Sequence, residues 1–68
     1  MTRFLDTRQV RHILIHLKNQ GCNIQEDKEA GTASASFDGA TVLNALQAGR
    51  GNRWIVRYIN SKDYKWNE

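Results

Sequence analysis

Between Leu5 and Cys22 the chain spells out a whole helix, with a start, a body and a stop. Asp6 followed three residues later by Gln9 has the form of a capping box, in which the Asp6 carboxylate accepts from the Gln9 backbone N–H. Leu5 before the cap and Val10 beyond it are placed for a hydrophobic staple. Val10, Ile13, Leu14 and Leu17 recur at helical spacing and mark a single apolar stripe. Gly21 suits the left-handed residue that ends a helix, and Cys22 can touch Leu17 there. These signals predict a helix over about 7–20. One apolar stripe needs a second layer to cover it, and the rest of the chain must supply that layer.

The period then changes to two. Cys22, Ile24 and Glu26 share one face of a strand, with Asn23, Gln25 and Asp27 on the other. After a turn at Ala30-Gly31, Ala33, Ala35 and Phe37 alternate with Thr32, Ser34 and Ser36, and the small alanines let a helix lie close. Asp38-Gly39 is a type I′ hairpin signal. It sets Phe37 opposite Ala40, Ala35 opposite Val42 and Ala33 opposite Asn44. Residues 40–48 read as a strand from Thr41, Val42 and the turn before them, or as a short helix from Val42, Leu43 and Leu46. The strand is preferred. Trp54 to Ile59 forms a further strand, with Trp54, Val56 and Tyr58 on one face and Ile55, Arg57 and Ile59 on the other.

The expected fold class is therefore α+β. One N-terminal helix packs on a three- to four-stranded antiparallel sheet, ordered α-β-β-β-β, or α-β-β-α-β if 40–48 is helical. Residues 1–60 make a single domain, and 61–68 a polar C-terminal tail that carries Tyr64 and Trp66. A lone helix covers one face of a sheet and leaves the other to solvent or to a partner.

A chain of 68 residues buries only roughly 60% of its unfolded surface, which leaves little surplus core for a deep catalytic cleft. Cys22 has no second cysteine to pair with, Met1 to Asp6 lack a signal-type apolar run, and no apolar stretch approaches membrane length. A cytoplasmic protein without membrane contact is expected. Charge is segregated: residues 1–21 sum to +3, residues 22–39 to −3 and residues 40–68 to +3. Such a field can steer a charged partner, and equally suits a solvated surface with salt bridges between the blocks.

No enzymatic constellation emerges. His12 and His16 share a helix face at a spacing that suits a metal, but no further ligands accompany them. Cys22 sits at the helix end that disfavours a thiolate and reads as a small core residue. Glu26-Asp27-Lys28-Glu29 lacks calcium-loop spacing, and Gly49-Arg50-Gly51-Asn52-Arg53 lacks a P-loop ending. No cofactor and no metal are expected. Helix, glycine and then strands resembles the HicA-type toxin and double-stranded-RNA-binding layouts. No histidine follows His16 to supply the HicA glycine-serine-histidine motif, and the lysine-rich second helix of the RNA-binding layout is missing, so membership of neither follows.

What remains points to binding. Arg8, Arg11, Ile15 and Lys18 lie on one flank of the helix, an apolar residue among three cations. Arg50, Arg53, Arg57, Tyr64 and Trp66 interleave cations with rings toward the C-terminus, among residue types common in protein hot spots. The expected function is a small non-enzymatic interaction module, a regulatory or inhibitory protein docking on a larger macromolecular machine in the style of mobile-element proteins. Its partner is expected to be a protein with an acidic surface. The alternative is a single-stranded nucleic acid, gripped by cations and stacked on rings. A homodimer through the face with Ile55 and Ile59 is a third arrangement.

Overall fold

A computed structural model describes residues 1–49 and 51–66. The chain runs β1 (Thr2–Asp6), α1 (Thr7–Asn19), β2 (Asn23–Asp27), β3 (Thr32–Phe37), β4 (Ala40–Gln47) and β5 (Arg53–Tyr58). The strands form one antiparallel sheet in the order β1-β5-β4-β3-β2. The α+β class and the single helix on a sheet are as expected, and residues 40–47 take the strand alternative. The sheet has five strands, though, rather than three or four. The added one is β1, an edge strand whose burial is confined to half of Leu5, so no alternation of apolar residues announces it. Its pairing with β5, Phe4 facing Ile55 and Thr2 facing Arg57, makes it a strand.

The helix ends form as their residues dictate. The Asp6 carboxylate accepts from Gln9 N–H at 2.8 Å and the Gln9 side chain accepts from Asp6 N–H at 3.0 Å. At the other end Gly21 takes φ +96, and the N–H groups of Gly21 and Cys22 donate to the carbonyls of Lys18 and Leu17. That double bond is the Schellman closure, which satisfies carbonyls the helix itself leaves free.

The path of α1 follows from topology. It joins β1 to β2, the two outer strands, so it must cross the sheet diagonally. Thirteen residues make a rod about 20 Å long. The outer strands of a five-stranded sheet lie about 19 Å apart, so the helix just spans it. Val10, Leu14 and Leu17 are buried against a floor that includes Ala33, Ala35, Leu43, Ala45 and Val56.

The β3–β4 hairpin carries a correction. Asp38 and Gly39 adopt φ 52 and 82, as a type I′ turn requires, and Phe37 faces Ala40 as expected. Two pairs further on the register shifts: Ser36 faces Thr41, but Ala35 faces Leu43 and Ala33 faces Ala45. Val42 is the extra residue of a β-bulge. An unbulged ladder would set Ala35 against Val42 and Ala33 against Asn44, aiming Asn44 at the helix and Leu43 at water. The bulge buries Val42 and Leu43 together, each 0% exposed, and leaves Asn44 outside. Burial of two adjacent apolar side chains outweighs one disrupted rung.

Candidate functional site

A diagonal helix leaves two corners of its sheet face uncovered. One is filled by the residues after β5. Tyr64 packs on Phe37 with ring centroids 5.5 Å apart, and Trp66 packs on Tyr58 at 4.8 Å and on Tyr64 at 5.2 Å. The Tyr64 hydroxyl donates to Gln20 Oε1 at 2.8 Å, and Trp66 Nε1 donates to the carbonyl of Val42 at 2.8 Å. The opposite corner is a cleft of about 520 Å³ between α1 and the β2–β3 turn, with Val10, Leu14, Ala33 and Trp54 in its lining. Arg11 and Lys28 at its rim are offset by Glu26 and Asp27, so the cleft favours neither sign of charge.

Among the described residues nothing covers the other side of the sheet. Strand alternation places Thr2 and Phe4 of β1, Arg53, Ile55 and Arg57 of β5, Asn44 and Leu46 of β4, Thr32 and Ser34 of β3, and Gln25 and Asp27 of β2 there. Phe4, Ile55 and Leu46 are direct cross-strand neighbours, so they form one apolar row over three strands. Phe4 is 68% exposed and Leu46 51%. Thr32 and Asp27 continue the same row on β3 and β2, where the surface turns polar. Arg53 and Arg57, both exposed, stand two residues before and after Ile55 and fence the apolar row on either side.

The residues proposed for binding thus fall in three places. Arg8, Arg11, Ile15 and Lys18 are exposed on the outer flank of α1. Arg53 and Arg57 share the uncovered sheet face with Ile55, as the alternation of β5 implied. Tyr64 and Trp66 are half-buried on the helix side, and Arg50 lies outside the described residues. Sequence reasoning missed Phe4 and Leu46. Phe4 carried no alternation signal, and Leu46 sat in the segment that read both ways.

Two titratable groups on the helix side of the sheet are shifted by burial. Burial pushes the Cys22 thiol up, the direction that disfavours a thiolate. Burial raises the Tyr64 hydroxyl too, with a smaller push from nearby Cys22. His12 and His16 are exposed, and among the described residues no group of three or more His, Cys, Asp or Glu is placed to hold a metal ion. Raised folded-state values have a stability consequence. The unfolded chain ionises first, so stability is full below the ordinary values of 9.0 and 10.0 and declines as pH rises through the higher folded values. Urea unfolding is expected to show a lower midpoint at alkaline than at neutral pH, with the early part of the fall absent in Cys22→Ala. Identical alkaline profiles for the two proteins would remove Cys22 as a cause.

Fold and surface together define a small α+β protein whose sheet is packed on one side and open on the other, with an apolar row between two arginines. No helix among the described residues is long and apolar enough to cross a membrane. No protein-family model, curated protein or solved structure matches this chain.

Proposed function

We propose that this chain is a non-enzymatic interaction protein that docks on a larger macromolecular assembly through its open sheet face and regulates or inhibits it. The observation that carries the reading is the row Phe4–Ile55–Leu46, whose two ends are exposed. Apolar side chains scattered singly over a surface are ordinary, whereas contiguous ones mark contact sites. Ile15 on α1 is such a single residue, so the helix flank is the weaker candidate.

The nucleic-acid alternative keeps its cations in Arg53 and Arg57 but loses its stacking platform. Trp54 Nε1 donates to Thr7 Oγ1 on the helix side, and Tyr58, Tyr64 and Trp66 pack on one another there. Among the described residues Phe4 is the aromatic ring left on the open face. Single-strand binders stack successive bases on several rings.

A photo-crosslinking residue placed at Leu46, and separately at Ile15, tests the reading in native lysate. Crosslinks from position 46 to one discrete protein, abolished by Ile55→Arg, are expected. Crosslinks from position 15 alone, or to nucleic acid from position 46, would overturn it. Ile55 is half-buried with its side chain on the open face, so the arginine reaches water and the fold survives.

A further inference from the structure

Resting on the open face as the docking surface, we infer that its occupant is a different, acidic protein, one presenting an apolar contact bracketed by carboxylates, and not a second copy of this chain. Symmetry disfavours a dimer centred on Ile55. A homodimer formed face to face has its two-fold axis in the plane of contact, and each residue meets the residue that the axis assigns to it. With the axis through Ile55 and running across the strands, Phe4, Ile55 and Leu46 meet themselves, but Arg53 of one copy lies on Arg57 of the other. With the axis through Ile55 and along β5, each arginine lies on its own counterpart. Either way guanidinium stacks on guanidinium around a desolvated centre, where like charges repel most. Axes along the strands elsewhere lose part of the apolar match: between β1 and β5 Leu46 meets nothing, between β5 and β4 Phe4 falls on Thr32, and on β4 Phe4 falls on Asp27 and Ile55 on Thr32.

The carboxylates of this chain on the same face are committed elsewhere. Asp6 faces Arg53 across the ladder, yet its side chain caps α1 through Gln9 N–H at 2.8 Å. Asp27 accepts from Ala30 N–H at 3.1 Å in the β2–β3 turn. The apolar row therefore asks for apolar side chains from outside, and the two cations beside it ask for anions. Arg53 and Arg57 are four strand steps apart, which sets the matching carboxylates about 13 Å apart on the partner. Arginine suits this role because its planar fork takes a carboxylate bidentately.

The probes are two synthetic peptides with one shared leucine-rich centre, flanked on both sides by glutamates in one and by lysines in the other. They are titrated into the full chain and read by backbone amide NMR, with oligo(dT) as a third ligand. The glutamate peptide is expected to shift the amides of Phe4, Leu46, Arg53, Ile55 and Arg57, and the lysine peptide to leave them unmoved. Affinity for the glutamate peptide falls on the order of tenfold in R53Q/R57Q, and R53E/R57E turns the preference toward the lysine peptide. Equal shifts by both peptides at those amides overturn the charge requirement while leaving the docking face intact. Shifts confined to α1, or none, overturn the docking face and this inference with it. Shifts of the same amides on raising protein concentration alone point to a second copy, and oligo(dT) shifts there point to nucleic acid; either result sinks the inference.

Discussion

Replacing Trp66 with alanine is expected to lower the free energy of unfolding by about 2–4 kcal/mol, somewhat less than loss of a fully buried large aromatic because the ring is half-buried. The residue joins three parts of the chain. Its indole N–H donates to the carbonyls of Val42 and Ile59 at 2.8 and 3.1 Å, so truncation leaves a bulge carbonyl and a strand-end carbonyl without that donor. Its ring meets Tyr58 and Tyr64 edge-on, and each such pair adds about 0.5–1.5 kcal/mol beyond area alone. Losing Trp66 also unseats Tyr64, whose hydroxyl ties the segment to Gln20 at the helix C-terminus. Trp66→Phe keeps a ring and loses the N–H, so it is expected to cost about 1 kcal/mol for the bonds, plus some packing. Urea unfolding followed by circular dichroism measures both variants. A Trp66→Ala change within about 0.5 kcal/mol, the size of an ordinary surface substitution, would separate the residues after β5 from the fold.

Leu43→Ala is expected to cost about 2–5 kcal/mol, since Leu43 is fully buried at the centre of the sheet beneath α1. Domains of this length have roughly 3–10 kcal/mol in all, so the variant loses a large share of its stability. Leu46→Ala, three residues on and facing water, is expected to stay within about 0.5 kcal/mol. The contrast between the two tests the bulge at Val42 directly. In an unbulged hairpin every side chain of β4 beyond it would change faces, Leu46 would point at the helix and Leu43 outward. The costs of the two substitutions would then be exchanged. The same exchange would dissolve the apolar row on the open face, so this measurement bears on the docking surface as well as on the core.

Both predictions rest on features that pattern alone does not reveal. The alternation of Thr32 to Phe37 and the Asp38-Gly39 turn were legible, and each formed as read. The bulge was not, because Val42-Leu43 are two adjacent apolar residues and strict alternation can bury only one of them. Their burial together depends on α1 and Trp66 lying over them. The open face was legible in part. The alternation of Arg53 to Tyr58 places Ile55 and Arg57 opposite Trp54 and Val56 with no reference to any other strand. Phe4 joins them only because β1 returns to pair with β5 across more than fifty residues of sequence.

What could be read from residues in order was whatever is stabilised within a few positions of itself. The capping box at Asp6, the glycine closure at Gly21, the stripe of α1 and the φ-positive turn all answer to local sterics and local hydrogen bonds. The edge strand β1, the register beyond the bulge, the corner filled by Tyr64 and Trp66, and the apolar row between two arginines were settled only on folding. Each depends on partners far along the chain, and the gain from burying surface between distant segments exists only once they meet.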